Sequence, residues 1–239
     1  IYTGISSVTV NNSTFNNNTA HGDEGGYGGA IHGVSVTVNN SIFNNNTATG
    51  GYSKAGAIYS VSVTVTNSTF TNNTAHGDEN GYGGAIYNIN GDVTVTNSTF
   101  TNNTVHGDKN GYGGAIYNYH GSVTVTNSTF NSQNANGSAI IHIESSNNVN
   151  LTNNTIQSNL LAIYTTAGKF ISPITLTFHN VTVGEGENAT LTAILTDDKG
   201  NLIGSNTQVT GTVNGNNVNL AFNETTRNFT GVYTPTNKG

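Results

Sequence analysis

The sequence predicts an all-β chain: a parallel β-helix over residues 1–168, then an antiparallel β-sandwich over residues 172–239. Three observations carry this. "NSTFTNNTVHGDKNGYGGAIYN", Asn97 to Asn118, repeats Asn67 to Asn88 with only Ala75/Val105 and Glu79/Lys109 exchanged, and self-similarity at such a period marks stacked coils. Segments such as "VSVTVT" and "DVTVTN" alternate apolar and polar with period two, the strand signature, and no 3.6-residue pattern or helix cap accompanies them. After Tyr164 the repeat stops, and short alternating segments follow at regular spacing between turn residues, as in a sandwich.

Within the repeat, the residues fall into columns. Val8, Val36, Val63, Val93, Val123 and Val149 precede Phe15, Phe43, Phe70, Phe100, Phe130 and Ile156 at constant spacing. Next come Asn18, Asn46, Asn73, Asn103, Gln133 and Asn159. After a loop of variable length there are Ala-Ile pairs at Ala30-Ile31, Ala57-Ile58, Ala85-Ile86, Ala115-Ile116, Ala139-Ile140 and Ala162-Ile163. Each strand is too short, and apolar on too narrow a face, to be stable alone. Stacking coils ~4.8 Å apart buries that face and pairs each backbone with its neighbours. Like then sits on like: the Val and Phe columns inside, and the Asn of each Phe-x-x-Asn at a tight turn, its amide bonding along the stack. About six coils are expected. Ile1-Tyr2 stands before Phe15 as Ile86-Tyr87 stands before Phe100, so the chain is expected to begin within a coil of a longer rod.

In the second part, "TTAGKFISP" reads as a linker with Gly168 and Pro173 as breakers. "ITLTFHNVTV", "NATLTAILT", "TQVTGTV", "NVNLAF" and "NFTGVYT" read as strands, with turns at Asp198–Asn201 and Asn214–Asn217. The segment is expected to stop one strand short. In "DDKGN", Asp197–Asn201, the oxygens would suit a loosely bound Ca²⁺, but a hairpin turn accounts for the same residues and is the stronger reading. No other cofactor is implied.

Composition excludes several functions. Only 8 % of residues are charged and the net charge is -6 with six Lys plus Arg, so there is no basic footprint for nucleic acid. No apolar run reaches the ~18 residues of a membrane span, so no membrane insertion is expected. There is no Cys, hence no disulfide framework and no thiolate zinc site. Sequons at Asn67, Asn97 and Asn127 are glycosylation candidates, although an Asn-rich chain produces many by chance.

The long loops "HGDEGGYGG", "HGDENGYGG" and "HGDKNGYGG" are expected to protrude at equivalent places, with "GGYSKAG" as a shorter relative. His21, His76 and His106, with Asp23, Asp78 and Asp108, would then line one edge of the rod beside Tyr27, Tyr52, Tyr82 and Tyr112. The functional reading is a ligand-binding edge, with aromatic faces for sugars and carboxylates for hydroxyls. The structural reading is that Gly supplies turns, Asp bonds loop backbone and Tyr covers the core. Catalysis by a β-helical polysaccharide lyase or glycoside hydrolase needs an asymmetric cluster, such as paired carboxylates or bases facing an acidic substrate. The helix offers Lys54, Lys109 and Lys169, no Arg, and acids that are mostly copies of one loop position plus Asp92 and Glu144. A single active site has no use for such copies, so no enzyme is expected. Ice binding through outward Thr pairs such as Thr94/Thr96 is weaker still, because Thr suits any solvated strand.

Gly-Gly-Ala-Ile at 28–31, 83–86 and 113–116, paired with Phe-x-x-Asn at 15–18, 43–46, 70–73 and 100–103, resembles the repeat of polymorphic outer-membrane-type proteins. The Asn/Thr-rich variant followed by "VTVGEGENATLTAILTDDKGN", similar to bacterial Ig-like domains, resembles the adhesin-like surface proteins of methanogenic archaea. Departures are Ala55-Gly56, Phe130-Asn-Ser-Gln and Ile156. The resemblance implies a right-handed, pectin-lyase-like β-helix with an Ig-like sandwich, an extracellular cell-surface location, and partners that are glycans or proteins of other cells. The implied function is attachment through repeated loops. The alternatives are the enzyme weighed above and a purely structural envelope stalk.

Overall fold

The computed structural model describes residues 1–137, 139–157, 160–166, 169–178, 183–184, 186–206, 209–213 and 216–235. Asn159, Gly168, residues 179–182 and Asn214, all named above, lie outside them. Period-two segments become strands on three faces, and every strand of the repeat pairs in parallel with its copy in the adjacent coil. The second face shows six rungs: Thr14–Asn16, Ile42–Asn44, Thr69–Thr71, Thr99–Thr101, Thr129–Asn131 and Thr155–Gln157. The protein is therefore an all-β parallel solenoid, and among the described residues no helix is long and apolar enough to cross a membrane.

The columns are in register. Val8, Val36, Val63, Val93, Val123 and Val149 pair successively on the first face. On the second face Phe15, Phe43, Phe70, Phe100, Phe130 and Ile156 do the same. From Phe15 to Phe130 neighbouring ring centroids are 4.7–4.8 Å apart and the planes lie within 8° of parallel. Phe43, Phe70, Phe100 and Phe130 are fully buried. One core, lined by Val, Ile and Phe, runs the length of the coils.

Three corners close each coil, each with its own chemistry. At the first, Asn12, Asn40, Asn67, Asn97, Asn127 and Asn153 have φ of 49–57°, a left-handed conformation Asn adopts more readily than most residues. At the second, Asn17, Asn45, Asn72 and Asn102 with φ of 52–58° are followed by Ser132 at 54°. So the turn residue stands one position before the Asn of Phe-x-x-Asn, which the sequence had placed in the turn itself. That Asn points inward instead. Asn46, Asn73 and Asn103 are 0 % exposed; each amide nitrogen donates to the amide oxygen of the next coil (2.9, 2.9 and 3.0 Å), ending on Gln133. A serine ladder lines the first corner: the N–H of Ser41, Ser68 and Ser98 donates to the hydroxyl of Ser68, Ser98 and Ser128, 3.1 Å each.

The third corner explains Gly-Gly. Gly28, Gly83 and Gly113 have φ of 63°, 66° and 72°, and Ala55 adopts 63° in their place. The second glycine is needed for space: a Cβ at Gly84 would lie 2.1 Å from the Gly114 carbonyl oxygen, and one at Gly56 would lie 2.3 Å from that of Gly84. The departure at Ala55 thus replaces the first glycine and leaves the second, and coil two keeps its pairing.

Three expectations are corrected. The loops do not protrude: Thr74–Tyr82 pairs with Thr104–Gly107 and Asn110–Tyr112, His76 on His106 and Tyr82 on Tyr112. Backbone groups of adjacent copies satisfy one another, which a protruding loop would leave to water. In coil five, Ile116 pairs with Ile141 rather than Ile140, so Ala139-Ile140 stands one position off the Ala-Ile column. Within the predicted linker, Lys169–Phe170 belongs to the solenoid, since it pairs with Asn148–Val149.

The second segment does form the five predicted strands, Thr175–Phe178, Ala189–Thr196, Val209–Val213, Asn216–Asn223 and Asn228–Tyr233, in one antiparallel sheet. Among the described residues it does not fold as a free-standing sandwich. Ile203–Ser205, unforeseen as a strand, pairs in parallel with Ile163–Thr165 and adds a rung to the first face. Ala193, Leu195, Leu220 and Phe229 join the same core as the coils. A solenoid's last coil bares its apolar cross-section, and covering it is the gain that draws the sheet onto the rod.

Candidate binding groove

Period two sends every second side chain outward. On the first face Ile86 is in the core, Tyr87 points out and Asn88 points in. The same holds for Ile58-Tyr59 and Ile116-Tyr117, while His32, His142 and Tyr164 occupy the outward place in other coils. In-register pairing then builds an aromatic column. Tyr59, Tyr87, Tyr117, His142 and Tyr164 follow one another at 5.3, 5.2, 5.1 and 5.2 Å between centroids. The first three rings lie within 6° of parallel.

Across the glycine corner, Tyr82 and Tyr112 lean on this column: Tyr82 lies 5.2 Å from Tyr117, and Tyr112 lies 5.3 Å from His142, both edge-on. Between the two rows runs a groove of about 510 Å³, floored by Tyr87 and Tyr117, with Tyr52, Lys54, Tyr119 and Glu144 at its sides. At Tyr112 and Glu144 it meets a second cavity of about 550 Å³, where His142 and Tyr164 face Phe222, Glu224 and Arg227 of the C-terminal sheet.

Burial sets the electrostatics. It pushes the Tyr87 and Tyr117 hydroxyls well above the usual tyrosine range, and for Tyr117 the hydrogen bond it donates to Glu144 adds to this. Both phenols are therefore neutral donors. Lys54 is lowered by burial and lies 5.3 Å from the ring centroids of both Tyr27 and Tyr87, within cation–π range. Burial pushes His142 down to about 4 from an ordinary 6.5. Between those values the unfolded chain takes up a proton that the folded chain refuses. The His142 contribution is thus complete above 6.5 and is lost as the pH falls toward 4, by about 3 kcal/mol at 1.36 per unit. Urea midpoints measured from pH 7 to 4 are expected to drop, and His142→Tyr, which continues the column, to flatten the drop relative to the parent.

The residues foreseen as one edge are split by the structure. Tyr82 and Tyr112 are half-buried in the groove, Tyr52 is exposed at its lip, and Tyr27 lies beside Lys54 and Tyr59. His21, His76, His106, Asp23, Asp78 and Asp108 stand apart on the third face and none lines the groove. His76 stacks on His106 at 5.1 Å, His106 Nε2 is 3.8 Å from Asp108, and His21 Nδ1 is 3.0 Å from the Thr49 hydroxyl. Nor is Tyr52 in the Tyr82 column. Gly51 alone faces Asp78 and Glu79, and the shift sets Tyr52 on Asn80 and Lys54 on Tyr82.

The exchange of Glu79 for Lys109 between near-identical coils also finds a reason. Lys109 Nζ donates to Glu79 Oε2 at 2.6 Å, and the Tyr52 hydroxyl donates to the same oxygen; two glutamates there would have stacked like on like. Hydrogen bonding from Lys109 holds Glu79 below the usual carboxylate range. Asn67, Asn97 and Asn127 are exposed at the first corner. In the Asp197–Asn201 turn, Asp197 accepts from the N–H groups of Lys199 and Asn201 and from the Asn201 amide, the bonding a hairpin requires.

Sequence reasoning missed Tyr87, Tyr117 and Glu144 as groove residues. The available signal was the residue after each Ala-Ile pair, which alternation turns outward. No curated protein and no solved structure matches the chain. Residues 12–34, 67–89 and 97–119 match the model of the Chlamydia polymorphic membrane protein repeat. These are the three coils with a complete Gly-Gly-Ala-Ile corner, and two of them, 67–89 and 97–119, supply Tyr82, Tyr87, Tyr112 and Tyr117 of the groove; the matched family is a surface-exposed, adhesin-type one.

Proposed function

We propose that the chain is the β-helical rod of an extracellular, cell-surface adhesin that attaches to glycans or proteins of other cells. The observation that carries this is the groove: equivalent aromatic positions repeated coil after coil on one side of a rigid stack. The matched repeats support a surface location. A row of equivalent weak contacts gains strength by multivalency, whereas chemistry at one bond needs a cluster unlike its neighbours, so the reading is non-catalytic. Following the resemblance to archaeal adhesin-like proteins, the rod is taken as right-handed and its C-terminal sheet as part of an Ig-like module.

Beads bearing the protein provide the test. Replacing Tyr82 and Tyr112 together by Ala is expected to reduce attachment to target cells by about tenfold or more, because the contacts act jointly. The far-ultraviolet circular dichroism should stay unchanged. Attachment that survives the double replacement would leave the two rings as covers over Tyr87 and Tyr117.

A further inference from the structure

We propose that the groove takes an extended, uncharged polysaccharide laid along the rod axis, one sugar ring to each coil, held by rows of tyrosine hydroxyls. This rests on the reading of the groove as a binding surface and names the ligand. The interval between outward rings stays at 5.1–5.3 Å from Tyr59 to Tyr164. A ligand that meets the same group in every coil must repeat at nearly that interval. A pyranose with its linking oxygen, in an extended β-linked chain, advances by nearly one coil. An extended peptide advances ~3.3 Å per residue, ~6.6 Å between side chains on one face, and falls out of step within a few coils.

The orientation of the rings narrows the chemistry further. Tyr87 and Tyr117 turn their faces on one another, as Tyr82 and Tyr112 do, so the groove presents edges and hydroxyls rather than the open aromatic faces expected from the sequence. Neutral phenols in a row suit a ligand with a hydroxyl at every step, not an acyl chain. Charge argues against polyanions. The groove holds Lys54 and Glu144, and the adjoining cavity adds Glu224 and Arg227: each sign twice, with no cation repeating from coil to coil.

Titration calorimetry with cello- and chito-oligosaccharides of two to six residues, against oligogalacturonates of the same lengths, tests this. Affinity for the neutral chains is expected to rise with each added residue until the groove is filled, and the acidic chains to bind more weakly. Tyr82→Phe with Tyr112→Phe keeps both rings and removes two hydroxyls. It should lower affinity for the neutral hexamer about tenfold, the value of two modest hydrogen bonds, at an unchanged melting temperature. Affinity that ignores length, tighter binding of the acidic chains, or no effect of the double Phe variant overturns the proposal. If neutral chains fail to bind while bead attachment still needs Tyr82 and Tyr112, this inference falls and the adhesive function stands. Length-dependent binding without bead attachment supports the inference and sinks the adhesive function.

Discussion

Asn103→Ala is expected to lower stability by roughly 2–6 kcal/mol, at 1–3 for each of the two buried polar groups left without a partner. Asn103 is fully buried. Its side-chain oxygen accepts from the backbone N–H and the amide of Asn73, and its nitrogen donates to the Phe70 carbonyl and to Gln133. Truncation strands the Asn73 N–H and one Asn73 amide proton in a site closed to water. Because coils are coupled mainly to their neighbours, the urea transition should also broaden or split where the ladder is cut. Asn103→Gln is the control. Gln133 already fills this column, donating to the Phe100 carbonyl and accepting from Asn103, so Gln at 103 should keep more than half of what Ala loses. Equal losses for Ala and Gln would show that shape rather than hydrogen bonding matters there.

Phe100→Ala is expected to cost about 3–5 kcal/mol, the range for a large aromatic truncated in a packed core. The ring lies 4.8 Å from both Phe70 and Phe130, so its removal opens a void and breaks two stacked contacts, each adding ~0.5–1.5 kcal/mol beyond area burial. Phe15→Ala should cost less than half as much, since Phe15 is only partly buried and stacks on one neighbour, Phe43. Chemical denaturation followed by circular dichroism reads both. A Phe100 variant as stable as the parent would mean that the column contributes little to holding the coils together.

Sequence alone was sufficient for the solenoid itself, its three apolar and amide columns and the strands of the second segment. Each is set by a short-range rule. Alternation assigns Val63, Val65 and Phe70 to the inside, and identical copies at fixed spacing stack most simply in register. The Asn column was legible as a ladder, although its place was misjudged by one residue at the corner. Backbone φ, not residue type, decides whether Asn72 or Asn73 makes the turn.

Tertiary structure decided what depends on pairing between coils of unequal length. One residue fewer opposite Asp78 and Glu79 slides Tyr52 out of the tyrosine column and brings Lys54 into it; no letter in the sequence marks where the gap falls. The loops looked free because Gly, Asp and His favour turns, yet adjacent copies supply each other's backbone partners and turn them into sheet. The groove arises only when the Gly83-Gly84 corner folds Tyr82 back against Tyr87 and Tyr117, residues from different strands and coils. The C-terminal sheet read as a separate domain because its strands are antiparallel. The bare end of the last coil, an apolar surface that exists only once the solenoid has formed, is what binds it to the rod.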